Sequence, residues 1–580
     1  MYRKIGKTLK SFCTILGALV LIIGIVSCIL NYYRAQNIYI PEHTMLVINF
    51  DDPITETGET NILSEIMQTD SLNFVKLLQS VEFASHDDKI DGLVARINTT
   101  NLDMAQIQEI AGVIEKFRKS GKKTIVHSRG FGPLGQGNRE YYLASFFEKI
   151  YMQPHTNIGL TGIDIEVPFA RSVLDKIGVY PEFYSRYEYK NAMVSLTDKD
   201  MSVTYRENMQ ALIKSLMETL QNGIEQNRVL TEKFSDIINQ APLTAEQGKK
   251  LNLIDDVLYI SELEDMLEKE GIENFADIND YAGLIRPNTG DLPQIAVLNI
   301  NGIISDGRNA TDFDGELTVG SDSVLTDIDS IKDLDNLKAV VVRINSPGGS
   351  YNAADEIYFA LKKLKKDKNI PIIISQGGYA ASGGYFISLA GDVIVTEPMT
   401  VTGSIGVLGG KIVLQNLWQK LGINWQDVKI GNNAGIMSIN QPFNANEKKI
   451  FNASLDEVYK DFTAKTQENR HLTQSMDNIA RGRVWTGAQA VELGLADDLG
   501  GYGKAMIYAR QRGGLKPEDR FKIATFPQQK SFKEKLYEAI FSAEVSVPKF
   551  ISNSGVDIRY LKLFKRLQYD TVLLPFNINM

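Results

Sequence analysis

Four segments of this 580-residue chain recur in the same order one domain-length later, which limits the fold to something built twice. LVARIN (93–98) returns as VVVRIN (340–345), so that Arg96 matches Arg343 at 343 − 96 = 247. TIVHSRG (124–130) parallels IIISQGG (372–378). EKIYMQPHTNIGLTG (148–162) parallels DVIVTEPMTVTGSIG (392–406), with Pro154 and Pro398 separated by 398 − 154 = 244. PLTAEQGKKLNLIDDV (242–257) parallels VWTGAQAVELGLADDL (484–499), with Thr244 and Thr486 separated by 486 − 244 = 242. A chain this long exceeds one hydrophobic core in any case. Two repeats are expected, over 45–285 and 293–530, with a further extension over 531–580.

Each repeat alternates short β-branched runs with helical periodicity. In the second, IAVLNI (295–300), AVVVRI (339–344), IPIIIS (370–375) and DVIVTE (392–397) read as strands. Ala353 to Lys366 and Asn446 to Arg470 read as helices, as does Ser202 to Arg228 in the first repeat. Continuous apolar strands separated by helices predict a buried parallel sheet with right-handed crossovers, hence an α/β fold.

The repeats differ where chemistry can be placed. YAASGGYFIS (379–388) reads as small residues opening a helix after a strand that ends at Ser375, which makes Ser382 a candidate nucleophile. The competing reading is a small-residue stretch that allows close helix packing. Matching YYLAS (141–145) to GYFIS (384–388) places Arg139 opposite Ser382, so the first repeat lacks the serine. RINSPGGS (343–350) leaves a strand and turns through Pro347, Gly348 and Gly349, where backbone N–H groups can approach a carbonyl oxygen. It reads equally as a plain strand-to-helix turn, but RINTTNLD (96–103) has no glycine, so the feature accompanies the serine. No GxSxG elbow is present, and the five histidines offer no obvious base. A buried lysine is the alternative base. Lys190 stands in YEYKNAMVSLTDKDMS (187–202), and matching LDKIGV (174–179) to WQKLGI (418–423) places Ala434 opposite it. Alone, Lys190 reads as a solvated surface charge. Its loss from the repeat that keeps the serine points to a split Ser–Lys pair.

Together YAASGGY (379–385), INSPGGS (344–350), VTGSIG (401–406) and YKNAM (189–193) resemble signal peptide peptidase A, or protease IV, of the long duplicated type. The resemblance runs from about residue 45 to 530 and implies two tandem Clp protease/crotonase-like domains. It implies that Ser382 attacks the scissile carbonyl, Lys190 takes its proton and the Ser404 hydroxyl orients the amine. It also implies that the N–H groups of Gly349 and Gly383, beside Gly348, hold the oxyanion, with no cofactor. A homotetrameric bowl on the membrane that digests cleaved signal peptides, or similar apolar peptides, is its further implication.

The N-terminus fits that setting. Phe12 to Leu30 is an uncharged run of 19 residues, enough for a helix to cross roughly 30 Å of hydrocarbon. Arg3, Lys4, Lys7 and Lys10 precede it and only Arg34 follows before Pro41, so residues 1–31 read as a cytosolic tip and single-pass anchor. The rest is then extracytoplasmic, on a bacterial inner membrane. A cleaved secretory signal is a second reading. Ile25-Val26-Ser27-Cys28 also matches a lipoprotein box that would lipidate Cys28. Beyond Cys13 and Cys28 there is no cysteine, and no HExxH or paired CxxC occurs, so neither disulfides nor a structural metal is expected. A net charge of −9 argues against nucleic acid as a partner. YLKLFKRL (560–567) reads as an amphipathic helix for lipid or a neighbouring subunit, or as a cap on its own domain. A crotonase-like acyl-CoA enzyme and a non-catalytic quality-control scaffold are the rival functions.

Overall fold

The computed structural model describes residues 39–56, 72–132, 135–285, 288–311 and 317–528. The anchor at 1–31, the Cys28 box and the 531–580 extension lie outside these residues. Among the described residues no helix is long and apolar enough to cross a membrane.

Each repeat builds a sheet of its own. The first has six strands, in the order Asp256–Val257, Lys149–Met152, Lys123–Ser128, Ile90–Arg96, Thr44–Asn49 and Asn274–Asp277. The second places Ile372–Ala381, Leu337–Ser346, Gln294–Asn301 and Lys522–Phe526 side by side. These pairs run parallel, and the central strands are apolar on both faces because helices cover both sides. Among the described residues only Val484–Thr486 runs antiparallel within this sheet, against Val401–Gly403.

The expected helices form as Tyr351–Lys368, Ala445–Asn469 and Val203–Asn227. Their starts follow from the sequence: the side chains of Ser350, Asn444 and Ser202 each accept an N–H of the first turn. One expectation fails. The strand read as ending at Ser375 continues to Ala381, and the helix begins only at Gly383. Small residues are poor strand formers by propensity. Here Tyr379–Ala381 pairs with Val401–Gly403, and that tertiary pairing overrides propensity.

The two repeats share one continuous core, which joins Leu46, Ile107 and Phe131 to Val341, Ile373 and Val395. The helix Met104–Lys119 of the first repeat lies over the second sheet. Its Gln108 accepts the N–H of Met399 at 3.0 Å and its Glu109 that of Tyr502 at 2.7 Å. Arg343 is fully buried there between Glu56, at 2.9 Å, and Glu109, at 2.6 Å. Its repeat-mate Arg96 is exposed, beyond the small core that Val94 on the same face makes with Leu263 and Leu267. Burial pushes the Glu109 carboxyl up to about 7, against the pull of Arg343.

Candidate active site

A second contact between the repeats positions the chemistry. Tyr180–Arg186 of the first pairs antiparallel with Val407–Val413 of the second, with Tyr180 opposite Val413 and Arg186 opposite Val407. Leu174, Val179, Met193, Leu408 and Ile412 form a small core beneath this ribbon. The register brings the segment leaving Arg186 to the segment entering Val407, so Lys190 and Ser404 meet at one end of the ribbon. Copy-two backbone then wraps the lysine. The Tyr189 N–H donates to the Arg481 carbonyl at 3.2 Å, and Gly482 at φ +91° lies against the Lys190 backbone. A Cβ on Gly482 would come within 2.4 Å of the Lys190 nitrogen.

Ser382 follows directly on the strand Ile372–Ala381, where Ala381 pairs with Gly403 and the Ser382 N–H donates to the Gly403 carbonyl at 2.8 Å. Its backbone sits at φ 57°, ψ −111°, outside the regions that L-residues favour. Ser404 is also at positive φ, 51°. Such strain in two neighbouring non-glycine residues persists only where the surroundings enforce it, and it clusters at functional sites. Lys190 Nζ lies 2.6 Å from Ser382 Oγ, 3.0 Å from Ser404 Oγ and 3.1 Å from the Ser404 carbonyl oxygen. All three residues are buried. Burial alone pushes the Lys190 ammonium down to about 7, with no charged neighbour contributing.

The glycines line up beside this trio. Gly348 and Gly349 take φ values of 111° and 152°, open only to glycine. At Gly349 a Cβ would fall 1.9 Å from the Ile304 carbonyl oxygen. A Cβ on Gly383 would lie 3.3 Å from the Gly349 nitrogen, so these two backbones are neighbours next to Ser382.

The residue opposite Ser382 needs correcting. Tyr385 donates its hydroxyl to the Leu495 carbonyl, and Tyr141 does the same to Leu253. The backbone at the helix start decides the match. Ser382 and Gly137 are each the N-cap, and each donates its N–H to an equivalent glycine carbonyl (Gly403 and Gly159, 403 − 159 = 244). Each also accepts the N–H of the residue four on (Phe386 and Tyr141), so Gly137, not Arg139, stands opposite the serine. The tyrosine bonds run at 385 − 141 = 244 while the helix starts differ by 382 − 137 = 245, so the match drifts along this segment and no ungapped alignment of the sequence gives it. Asn138 is buried and donates to the Gly162 carbonyl at 2.6 Å. Ala434, opposite Lys190, is exposed.

Sequence reasoning missed Gly482 and Gly406, which close on Lys190, and Asn345, which bonds near the glycine turn. Gly482 carried a weak signal, as it lies just before the VWTG repeat segment. Asn345 carried more, since it recurs as Asn98.

The profile of peptidase family S49 matches residues 116–272 and 364–516, together more than half the chain. The chain belongs to peptidase family S49. The Clp protease profile also matches 319–396, in the second repeat. The chain is 28% identical over 526 residues to the chloroplastic serine protease SPPA of Arabidopsis thaliana, covering 87% of this chain and 76% of that one. It is 27% identical to Protease 4 of Haemophilus influenzae, covering 82% and 77%. To Protease 4 of Salmonella typhi it is 29% identical, covering 78% and 74%. This S49 protein is a serine peptidase built from two copies of the S49 domain.

Proposed function

We propose that this S49 peptidase hydrolyses apolar peptides, cleaved signal peptides among them, with a Ser–Lys dyad made by its two repeats. The observation that carries the reading is the 2.6 Å approach of Lys190 Nζ to Ser382 Oγ in a buried site where, among the described residues, no carboxylate pairs with the lysine. A lysine with its affinity for protons lowered to near neutrality is neutral often enough to act as base. The neutral amine accepts the Ser382 proton as Oγ attacks the peptide carbonyl. Ser404 Oγ, 3.0 Å from the amine, holds it on the serine. The Gly349 and Gly383 N–H groups receive the oxyanion, and the Lys190 ammonium returns its proton to the leaving amine. Water, deprotonated by the same amine, then releases the acyl group.

The uncharged 19-residue run at 12–30 supports a single-pass anchor with the catalytic part outside the cytosol, which suits substrates left in a membrane. A homo-oligomer is part of the proposal. With the repeat offset of 244, the ribbon Tyr180–Arg186/Val407–Val413 has a mirror-role pair at 424–430 and 163–169. Neither segment belongs to a strand. Ile163, Ile165, Val167 and Phe169 pack inward on the core, which leaves an extended edge. Trp425, Val428 and Ile430 are exposed, the last two at 104% and 99%. Pairing 424–430 of one chain with 163–169 of the next repeats the internal ribbon head to tail and closes a ring if the rotation closes.

The test is turnover of an apolar peptide by purified protein. Ser382→Ala and Lys190→Ala each lower kcat/KM by about 10³-fold or more, while serine-to-alanine changes at exposed positions do not. Normal turnover by Lys190→Ala at neutral pH would sink the dyad.

A further inference from the structure

The strand that delivers Ser382 does not run straight. Between Ile344↔Gln376 and Ser346↔Ala380 the pairing of Leu337–Ser346 with Ile372–Ala381 slips, so that Gly377, Gly378 and Tyr379 bulge out of register. A bulge bends a strand and re-aims the residues beyond it, and here the residues beyond it are Ala380, Ala381 and Ser382. The ladder bond lost at the bulge is replaced by a side chain. Asn345 Oδ1 accepts the Tyr379 N–H at 3.0 Å. Gly377 makes room, since a Cβ there would lie 3.1 Å from Asn345 Cβ.

The first repeat has the same device and closes it differently. Asn98, the mate of Asn345, accepts the Arg129 N–H and donates its Nδ2 to Asp51 of its own repeat. Strand register sets the equivalence: Asn49 pairs with Arg96 and Asn299 with Arg343, so Asp51 corresponds to Asn301. The second repeat therefore lacks its own carboxylate, and the buried Asn301 Oδ1 has no hydrogen-bond partner among the described residues. Asp103 of the first repeat supplies the carboxylate instead. Asn345 Nδ2 donates to Asp103 Oδ2 at 3.1 Å. The other oxygen, Oδ1, accepts the Gln106 N–H at 2.9 Å and caps the helix Met104–Lys119. The carboxylate sits against Gly378 so closely that a Cβ there would come within 2.4 Å of Oδ2.

We propose that Asp103 is a positioning residue for the peptidase reaction: through Asn345 it fixes the bulge that aims Ser382 and the start of the Gly348–Gly349 turn. The first repeat thus acts on both halves of the chemistry, by giving the base and by holding the strand of the nucleophile. Asn345 is three residues before Gly348, and its own carbonyl accepts the Gly302 N–H at 2.9 Å, so a shift at Asn345 moves both sides of the site. The inference rests on the Ser–Lys reading.

The hydrogen bond can be reversed as well as broken. Asp103→Asn keeps an oxygen for the Gln106 N–H but turns an amide donor toward the donor of Asn345. The second change, Asn345→Asp, turns that partner into an acceptor and leaves an oxygen for Tyr379. Expected for Asp103→Asn is a fall in kcat of about tenfold or more with KM within about twofold, as misplacement of reacting groups by a fraction of an ångström costs rate rather than binding. The acid limb of the pH profile stays in place, because the surroundings of Lys190 are untouched. The double variant Asp103→Asn/Asn345→Asp recovers kcat to within about threefold of wild type. Wild-type kcat in Asp103→Asn overturns the proposal, and so does a folded double variant no faster than the single one. If Asp103→Asn does not fold, Asn345→Ala, which spares the helix cap, is read in its place: a fall of about tenfold in kcat supports the strut and wild-type kcat overturns it. Labelling of wild-type Ser382 by a fluorophosphonate separates the two layers. Its absence defeats the dyad, whereas its presence with unchanged kcat in Asp103→Asn defeats the strut alone.

Discussion

Lys190 is held in a place where its charge is unwelcome, and that has consequences for rate and for stability. Burial lowers its pKa to about 7 from the 10.5 usual for a lysine. For activity the neutral amine is the working form, so kcat/KM rises with pH through about 7 and levels off above it. A steady-state pH profile of an uncharged peptide substrate checks this, and a flat profile between pH 5 and 9 contradicts it. For stability the sign follows from proton counting. Between about 7 and 10.5 the unfolded chain binds one more proton than the folded one, so the folded state gains as pH rises through that window and loses that gain below it. Lys190→Met removes the penalty. It is expected to unfold at a higher temperature than wild type at pH 7, with a gain in unfolding free energy on the order of several kcal/mol at most. The gap narrows toward pH 10, which thermal melts at both pH values measure. The candidate residues themselves were legible because the repeats differ there: serine and glycines in one, lysine in the other. Their strain was not, since φ 57° at Ser382 comes from the pairing of Ala381 with Gly403 and not from any local preference of serine.

At the scale of elements, two non-local strand contacts assemble the site. Strand patterning showed Gln294–Asn301 and Leu337–Ser346 within two residues, because apolar runs record burial on both faces. It did not show the ribbon Tyr180–Arg186/Val407–Val413, whose partners are more than two hundred residues apart and whose sequences, YPEFYSR and VLGGKIV, share no pattern. The loop that closes on Lys190 was equally hidden, because its requirement is for space. Gly482→Ala puts a Cβ 2.4 Å from the Lys190 nitrogen at a φ of +91°. The expected result is a loss of about 10²-fold in kcat/KM with the sheet intact by circular dichroism; a variant as active as wild type would show that the lysine tolerates displacement.

For the whole molecule, the duplication has become a division of labour. The sequence spacing revealed two copies, but not that the Glu56–Arg343–Glu109 cluster and a shared core weld them together. Those contacts depend on which faces the copies present to each other, and periodicity within one copy does not encode that. Lys190 and Ser382 meet within one chain, so mixing Ser382→Ala chains with Lys190→Ala chains restores no activity; recovery toward half of wild type would place the dyad between chains. The proposed ring makes a separate prediction. Val428→Asp with Ile430→Asp places charge on the exposed edge at 424–430 and shifts native mass spectra of the detergent-purified protein from oligomer to monomer, while an unchanged oligomer counts against that edge.

An amine from one repeat activates a serine from the other. Fluorophosphonate labelling followed against pH, with the modified residue mapped by peptide mass spectrometry, reads this activation at the serine itself. A single adduct on Ser382 is expected, at a rate that climbs to a plateau above about pH 7 and collapses in Lys190→Ala. An adduct on another serine, or undiminished labelling of Ser382 in Lys190→Ala, would contradict it.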